Sequence, residues 1–496
     1  MLARVRSATL RGIEAAAVWV EVDVTSGLPS FTTVGLPDST VRESRDRIRA
    51  AIKNAGFVFP MDRITVNLAP ADLRKEGPAL DLPMAIGLLA ATGIIEPPAL
   101  DRCLVVGELS LDGAIRPVRG VLAMALLCRR RRIATLLVPA ENATEAAVVS
   151  GIDVIPLASV QEAVEHLKGE RLQPPATGDV TTRAAADTAD FADVRGQAHA
   201  KRALEVAAAG AHNVLLLGPP GTGKTMLARR LAGILPPLSL EEAIEVSVIW
   251  SVAGLLPAEE GLLTTRPFRA PHSSVSGAGL IGGGSIPHPG EVSLAHLGVL
   301  FLDELPEFPQ RVLESLRQPL EDGTVAVSRI AGTAKFPARF QLVAAANPCR
   351  RGCASLPVCV CTPAERDHYL GRLSRPLLDR IDLHLELSAV PHAELSADGS
   401  AESSAAIRAR VLAARARQAA RFAGSDTRVN ARMTGRQLRR WCAVPPPAVR
   451  LLGAAMTRLG LSARAYHRVL RVARTIADLR DCETIAADDV SEAIQY

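Results

Sequence analysis

The octapeptide GPPGTGKT at residues 218–225 combines glycines, a lysine and a threonine in an order that suits phosphate binding. Gly218 and Gly223 bracket four residues, and Lys224 and Thr225 follow, which satisfies the P-loop pattern G-x-x-x-x-G-K-[ST]. We expect Lys224 to contact the β- and γ-phosphates of ATP and Thr225 to bind Mg²⁺. The predicted nucleotide-binding residues of the loop are Gly218, Pro219, Pro220, Gly221, Thr222, Gly223, Lys224 and Thr225.

Two apolar runs further along the chain end in residues that suit ATP hydrolysis. The run GVLFLDELPEF places Asp303 and Glu304 directly after a strand-like segment, as in a Walker B strand. We expect Asp303 to bind Mg²⁺ and Glu304 to polarise the attacking water. The run FQLVAAANP ends in Asn347, whose amide is expected to orient that water. Adjacent carboxylates can also be mere loop solvation, but the P-loop upstream makes that interpretation weak.

The elements that must position these residues follow from the sequence pattern, which predicts an α/β fold. Residues 1–168 alternate strand-like and helical runs, as an α/β domain does. Residues 169–190 are rich in Pro, Gly, Thr and Ala and are predicted to be a linker. The short strand NVLLL and the helical MLARRLAGIL flank the P-loop, so residues 191–392 are predicted to be an α/β core. Residues 393–496 are predicted to form a C-terminal helical lid.

Composition and charge bear on the cellular location of the protein and on its partners. A net charge of +5 over 496 residues permits a nucleic-acid partner without arguing for one. The longest uncharged apolar run, residues 82–95, is shorter than the roughly 20 residues that cross a bilayer. We therefore expect a core helix there and no membrane partner. Charged residues interrupt the first 20 positions, and eight cysteines without an export signal favour reduced thiols, so we expect a cytoplasmic protein.

The order of P-loop, Walker B strand and sensor Asn347 resembles that of an AAA+ ATPase. The segment RLSRPLLDRIDLHLEL resembles the arginine-finger segment of the MCM and magnesium-chelatase branch. That resemblance implies that Arg380 completes the active site of a neighbouring subunit, with Arg375 as the second candidate. A finger that acts in trans implies a ring, and the family expectation is a homo-hexamer.

Four arginines recur at spacings of four, three and three in LSARAYHRVLRVARTIADL, which places them on one helical face. The AAA+ resemblance assigns the first, Arg464, to the second sensor, which reaches the γ-phosphate from the lid. For Arg468, Arg471 and Arg474, a solvated position and a phosphate-facing position both stay open.

The first domain resembles the proteolytic domain of Lon in PADLRKEGPALDLPMAIGLLAA and in the stretch that begins GELSLDGAIRPVRG. Lon-type catalysis needs a serine nucleophile and a lysine that takes its proton. Ala79 and Leu122 stand at the matching positions, so protease chemistry is excluded while the resemblance in fold remains. Similar domains without catalytic residues occur in the recombination ATPase RadA. This resemblance makes Arg129–Arg132 candidate DNA contacts, and a solvated helix end is the alternative.

The whole chain resembles the ComM/YifB family of magnesium chelatase-like ATPases, most specifically in RPFRAPHSSVSGAGLIGGG. The resemblance implies a hexameric helicase that drives branch migration when incoming DNA recombines in natural transformation. Single-stranded or branched DNA, and recombination proteins, are then the expected partners. The alternative is a protein-remodelling or metal-chelatase-type ATPase with no DNA role. The expected pore loop offers no aromatic residue to grip a polypeptide, which counts against remodelling.

The stretch LEDGTVAVSRIAGTAKFPARFQLV contains two alternating runs around a turn near Ala331 and Gly332. It predicts a hairpin just before the sensor strand, where it would project into the pore of a ring. Arg329 and Lys335 on this hairpin are candidate DNA contacts. An ordinary exposed hairpin, whose charges only maintain solubility, is the alternative.

A cysteine cluster follows the sensor residue in NPCRRGCASLPVCVCTP. Cys349, Cys353, Cys359 and Cys361 have the spacing C-x₃-C-x₅-C-x-C. Four thiolates this close can form a tetrahedral structural Zn²⁺ site with Zn–S distances of about 2.3 Å. The family usually shows NPCPCG, whereas Arg351 stands at the second cysteine position here, so Cys353 would have to replace that ligand. A zinc site and free thiols therefore both stay open.

Overall fold

A seven-stranded mixed sheet forms the first part of the computed structural model, which describes residues 1–75, 77–178, 189–284, 287–329, 332–353, 359–390 and 402–496. Two long strands pair antiparallel from Leu2 opposite Asp23 to Arg11 opposite Glu14, and the sheet grows outward from them. The strands of this part are β1 (Leu2–Arg11), β2 (Glu14–Thr25), β3 (Ser30–Val34), β4 (Arg63–Ala69), β5 (Cys103–Val105), β6 (Glu108–Leu109), β7 (Ile115–Arg116), β8 (Thr135–Pro139) and β9 (Asp153–Leu157). The order in the sheet is β3-β4-β2-β1-β5-β8-β9, and the last three strands run parallel to one another.

The helices of this part pack against the sheet through apolar faces. They are α1 (Ser39–Asn54), α2 (Asp81–Ala91), α3 (Val121–Arg131), α4 (Ala143–Ala147) and α5 (Val160–Leu167). Every residue of α2 is buried, which confirms the core helix predicted within residues 82–95. No helix in the described ranges is long and apolar enough to cross a bilayer.

The two positions matched to Lon catalytic residues lie in apolar surroundings. Ala79 belongs to the 3₁₀ turn Pro78–Leu80 and packs against an apolar cluster that contains Leu122 of α3. The side chain of Leu122 is fully buried. Neither side chain carries a group that can attack a carbonyl or accept a proton, so nucleophilic catalysis by this pair is chemically excluded. The Lon-like fold of this domain stays a prediction.

The second sheet has five parallel strands in the order β11-β14-β17-β10-β18, which confirms a mixed α/β protein with a parallel sheet of the P-loop type. The strands of this part of the chain are β10 (Val214–Leu217), β11 (Phe268–Arg269), β12 (Gly282–Gly283), β13 (His288–Pro289), β14 (Val299–Leu302), β15 (Thr324–Arg329), β16 (Gly332–Pro337), β17 (Gln341–Ala346) and β18 (Leu383–Glu386). Strands β14 and β17 are buried along their whole length, as expected for a parallel sheet that is covered on both faces.

Helices surround this sheet and continue to the end of the chain. Those that accompany the second sheet are α6 (Ala198–Gly210), α7 (Lys224–Ile234), α8 (Leu240–Ala253), α9 (Gly277–Ile281), α10 (Glu291–Leu294), α11 (Gln310–Ser315), α12 (Arg317–Asp322), α13 (Pro363–Leu370) and α14 (Arg375–Leu378). The described residues after 401 form α15 (Ser404–Arg421), α16 (Gly435–Trp441), α17 (Pro446–Leu459), α18 (Ala463–Leu479) and α19 (Ala487–Ile494). Their role as a lid, like the limits of the domains, stays a prediction.

Helix α18 carries the four periodic arginines, and the structure corrects the interpretation of Arg474. This side chain is only 1% exposed, so it neither faces solvent nor is available to a phosphate. It forms a buried ion pair 3.1 Å from Asp478, one turn further along the helix. Asp478 also accepts hydrogen bonds from Arg421 of α15 and Asn430. The last of the four periodic arginines therefore belongs to a buried polar network that joins α18 to α15.

Removal of the Arg474 side chain should destabilise this helical region. We expect Arg474→Ala to leave Asp478 buried with fewer donors and to lower the free energy of opening of α18 by about 3–5 kcal/mol. Native-state hydrogen exchange of the α18 amides measures this effect locally. Arg450→Ala, at an exposed position on α17, is the matched control and should leave exchange nearly unchanged. Equal protection of α18 in the two variants would contradict the structural role of Arg474.

Candidate active site

The predicted catalytic residues follow three neighbouring strands of the parallel sheet. In the register of the sheet, Leu217 of β10 pairs with Ala346 of β17, and Leu302 of β14 pairs with Ala344. The loops that leave these strands therefore start at one edge of the sheet. This edge, at the carboxyl ends of parallel strands, is where α/β proteins bind ligands.

The P-loop has the conformation that phosphate binding requires. Gly221 and Gly223 have φ values of +81° and +86°, in the left-handed region that glycine tolerates best. A Cβ atom on Gly218 would lie 2.6 Å from the carbonyl oxygen of Leu387, so only glycine fits at that position. Helix α7 begins directly after Gly223, and its N-terminal amides and positive dipole end favour bound anions.

Lys224 connects the P-loop to the sensor strand. Its ammonium donates to the carbonyl oxygens of Gly218 and Pro219 at 2.6 and 2.8 Å, and to Oδ1 of Asn347 at 3.1 Å. Burial lowers the pKa of Lys224, and the carboxylates of Asp303 and Glu304 offset part of this effect. The structure thus brings the predicted lysine and sensor residues together without any other group between them.

The oxygens expected to bind Mg²⁺ are also adjacent. Oγ1 of Thr225 donates to Oδ2 of Asp303 at 2.7 Å, and the other carboxylate oxygen accepts from the backbone amide of Glu304 at 2.9 Å. A hydroxyl beside a half-buried carboxylate is a hard oxygen donor set that fits Mg²⁺. The ion, when bound there, neutralises charge on the phosphate oxygens of ATP.

Glu304 is oriented differently from Asp303. It is exposed, and its φ of +51° places its backbone in the left-handed region, which is uncommon for a residue other than glycine. Such backbone conformations persist where the surrounding structure enforces them, and they cluster at functional sites. The exposed carboxylate is accessible to water at the strand edge, as general-base chemistry requires.

Tyr369 is a neighbour of this site that sequence reasoning did not find. It lies on α13, is 4% exposed and belongs to a helix that begins just after the cysteine cluster. Burial raises the pKa of its hydroxyl to about 12, and the nearby charges of Glu307, Glu304 and Cys349 contribute to this rise. A lone tyrosine in a helical pattern gives no signal of such a position.

Arg380 and Arg464 lie apart from the Lys224 cluster. Both line a cavity of about 830 Å³ that also contains Asn213, the residue before β10. Because Asn213 marks the amino end of the strand whose carboxyl end leads into the P-loop, this cavity lies at the opposite edge of the sheet. Among the described lining residues none belongs to positions 218–225. The prediction that Arg464 reaches the γ-phosphate is therefore not met within its own chain.

The finger segment is held by contacts from distant parts of the chain. Arg380 forms an ion pair with Glu321 and donates to the carbonyl oxygen of Pro376 at 2.7 Å. Arg468 donates to the carbonyl oxygen of Ile381 at 2.6 Å, so it supports this segment, and it also lines the same cavity. Arg375 is exposed at the start of α14.

Arg471 and Asn213 also make contacts in this region that the sequence pattern does not predict. Arg471 donates to the backbone carbonyl of Met433 at 2.7 Å, so it joins α18 to the turn before α16, and it also lines the cavity beside Arg380. Asn213 donates to the carbonyl oxygen of Arg380 at 2.9 Å and accepts from the amide of Leu342 at 2.8 Å. It thus links the finger segment to the sensor strand. Its position immediately before the P-loop strand is the only signal that the sequence offers.

The predicted hairpin is confirmed. Strands β15 and β16 pair antiparallel, from Thr324 opposite Pro337 to Arg329 opposite Gly332. Lys335 is exposed, whereas the side chain of Arg329 and the turn at residues 330–331 lie outside the described part of the chain. Arg129–Arg132 are exposed at the end of α3.

The four clustered cysteines converge. Their sulfur atoms all lie within 4.8 Å of one another, with Cys349 and Cys361 buried and Cys353 and Cys359 half-buried. Burial raises the pKa of the Cys349 thiol, but hydrogen bonds from the Cys353 amide and from the three neighbouring thiols outweigh this effect and bring it to about 7.

A parallel sheet with a P-loop, a Walker B carboxylate pair and a polar sensor at adjacent strand ends defines a P-loop ATPase. Comparison with known proteins identifies its family. Residues 20–142, 190–395 and 401–496 match models described as subunit ChlI of Mg-chelatase, magnesium chelatase subunit ChlI, and its C-terminal part. The chain therefore belongs to the ComM/YifB family of magnesium chelatase-like ATPases, which hydrolyse ATP with Mg²⁺.

Two similar proteins of known name support this membership. The whole chain is 46% identical to a YifB protein of Salmonella typhimurium over 497 residues, which cover 97% of that protein. It is also 46% identical over 502 residues to "Competence protein ComM" of Haemophilus influenzae, again with 97% of that protein covered. A short stretch of 51 residues, 10% of the chain, is 47% identical to an archaeal Lon protease of Archaeoglobus fulgidus and covers 8% of it.

Replacement of Glu304 should separate ATP binding from hydrolysis. We expect Glu304→Gln to bind ATP normally but to hydrolyse it at least about 100-fold more slowly, because an amide cannot accept the proton of the attacking water. Binding of a fluorescent nucleotide and release of phosphate measure the two effects. Glu307→Gln, three residues away and half-buried, is the control and should retain most activity. Undiminished hydrolysis by Glu304→Gln would refute the Walker B assignment.

Proposed function

We propose that this ATPase is a ring-forming motor on DNA, a branch-migration helicase that acts when incoming DNA recombines during natural transformation. Its partners are single-stranded or branched DNA and recombination proteins in the cytoplasm, and its ring is a homo-hexamer. Support comes from the position of a charged hairpin relative to the ATP site. A relative that bears the name of a competence protein supports the cellular role.

The hairpin has one apolar face and one polar face. Val325, Val327 and Phe336 are buried in an apolar cluster that Ile13 of the β1–β2 turn contacts. Ala326 pairs with Lys335 on the other face, where both side chains are exposed. An anchored ribbon that presents a cation outward suits contacts with a phosphate backbone, which are independent of sequence.

The hairpin is connected directly to the catalytic edge of the sheet. Only residues 338–340 separate β16 from β17, and β17 ends directly before Asn347, which accepts a hydrogen bond from Lys224. A displacement of the sensor strand during hydrolysis is therefore transmitted along one continuous segment to Lys335. This connection is the observation that most favours a motor whose grip on DNA depends on ATP.

The ring is supported by the separation of Lys224 from Arg380 and Arg464. Because the two arginines lie at the opposite edge of the sheet, they cannot reach the γ-phosphate bound by their own P-loop. In a ring, each subunit places that edge against the P-loop of its neighbour. We propose that Arg380 acts there as the arginine finger and that Arg464 acts in trans beside it.

Mixed rings test the finger. Arg380→Ala subunits retain the P-loop, and Lys224→Ala subunits retain the finger, so each variant alone should be inactive. Mixtures should regain part of the ATPase rate, because some interfaces then combine an intact P-loop with an intact finger. The phosphate-release rate as a function of the mixing ratio measures this effect.

The control mixture combines Lys224→Ala with Glu304→Gln. Both changes damage the P-loop side of a subunit, so no interface between them is complete and no activity should return. Absence of any regained rate with Arg380→Ala, at every ratio and with ring formation verified, would show that Arg380 does not act in trans.

DNA stimulation tests the motor. The ATPase rate should rise most with branched DNA, less with single-stranded or duplex DNA, and not at all in the Glu304→Gln blank. Lys335→Ala should reduce this stimulation and lower the slope of log affinity against log salt by about 1, because one phosphate contact is lost. Lys53→Ala removes an exposed lysine at the end of α1 and should leave stimulation unchanged.

Salt must be held constant across the DNA substrates, since phosphate contacts weaken steeply as salt increases. A rate that is indifferent to every DNA would refute the motor and favour a protein-remodelling ATPase. If Lys335→Ala and Lys53→Ala reduced the stimulation equally, DNA would remain a partner of the protein. The hairpin would then not be the contact site for DNA.

A further inference from the structure

We infer that Cys349, Cys353, Cys359 and Cys361 bind one structural Zn²⁺ ion, which holds the loop after sensor Asn347 against the P-loop. All four sulfur atoms lie within 4.8 Å of one another. A tetrahedral site with Zn–S bonds of about 2.3 Å separates its sulfurs by about 3.8 Å, so only small rearrangements are needed. Four thiolate ligands leave no open coordination position, and the ion is therefore structural.

The ligands come from two short segments that fold back on each other. In the first, the Cys353 amide donates to Sγ of Cys349 at 3.3 Å, and Gly352 between them has a φ of +64°. This tight turn brings two cysteines that are four positions apart to one point. In the second, Cys361 immediately precedes Thr362, which caps α13 in a capping box with Glu365. Both segments are thus anchored next to their ligands.

A disulfide bond does not account for the convergence of the four cysteines. All eight cysteines, including these four, are free thiols, so the convergence does not result from a disulfide. One disulfide would join only two sulfurs, at about 2.05 Å, and would not require the other two to lie nearby. Cys103, Cys128, Cys442 and Cys482 lie elsewhere in the chain and do not belong to the group.

The cluster lies next to two parts of the ATP site. A Cβ atom on Gly352 would lie 3.1 Å from Cγ of Pro220, so the turn packs against the P-loop. Cys349 is two residues from Asn347 in the sequence. An ion at this point would therefore hold the sensor loop against the P-loop.

Metal content tests the site directly. The full chain, purified from zinc-containing medium without chelators or an affinity metal, should carry about one zinc ion per chain. Cys359→Ser and Cys361→Ser should lose it. Cys482→Ser, at a half-buried cysteine outside the cluster, should retain it. Wild-type protein with a zinc content far below one ion per chain would overturn the inference, as would a disulfide among the four in the native protein.

Because a serine variant that fails to fold would also lose zinc, cobalt substitution of the wild-type chain gives a second measurement. Co²⁺ bound here should show the ligand-field and thiolate charge-transfer absorption of a tetrahedral sulfur site. A spectrum typical of octahedral oxygen ligands, or no bound Co²⁺, would overturn the site. Neither measurement depends on DNA, so failure of the zinc site and failure of the proposed motor are distinguishable.

The proposed effect of the zinc ion on the ATP site is tested separately, through the ATPase activity. Zinc-free protein, assayed in excess Mg²⁺, should show a kcat about 10- to 100-fold lower, since displacement of catalytic groups by about 1 Å costs this much. Addition of Zn²⁺ should restore the rate. An unchanged kcat in protein verified to lack zinc would overturn the role of the ion in holding the sensor loop.

Discussion

The hydrogen bonds of the Lys224 ammonium are the interaction on which the site depends, because they join the ends of two strands. Two go to P-loop carbonyls and one to Asn347, so a single side chain connects the P-loop to the sensor before ATP binds. This contact requires β10 and β17 to be neighbours in register, and β14 to lie on the other side of β17 with Asp303 at its end. The buried apolar strands provide that order, and the glycines of the P-loop allow the chain to turn back to Lys224.

Strand β10 also relates the two edges of the sheet. Its carboxyl end leads into the P-loop, and Asn213 at its amino end bonds both the finger segment and the sensor strand. Arg468 and Glu321 hold the finger segment from helices outside the sheet. β17 is therefore connected to both the hairpin and the finger segment. Within the proposed ring, we infer that this connection lets each subunit report its nucleotide state to its neighbour.

The parts that sequence reasoning predicted well are those encoded by contiguous residues. The P-loop, the Walker B pair and Asn347 each follow an apolar run, and parallel strands bring such ends together. The buried helix α2 and the β15–β16 hairpin also have local periodicity. Arg474 illustrates what local patterns miss: its burial depends on Asp478, Arg421 and Asn430, which the chain supplies from separate helices and a turn. The position of Arg464 likewise depends on how the helical region docks, which no periodicity encodes.

The charge distribution of the cavity beside Arg380 is consistent with the proposed subunit contact there. Burial lowers the pKa of Arg415 to about 9 and also lowers the pKa of Arg266 and Arg432, which line the same cavity. Desolvated guanidinium groups that remain charged at neutral pH raise the electrostatic free energy of this surface. Among the described residues that line the cavity, nine arginines outnumber seven carboxylates, so positive charge is in excess. In the proposed ring, an ATP phosphate held by an adjacent P-loop would supply negative charge there, so nucleotide binding and subunit contact should stabilise each other.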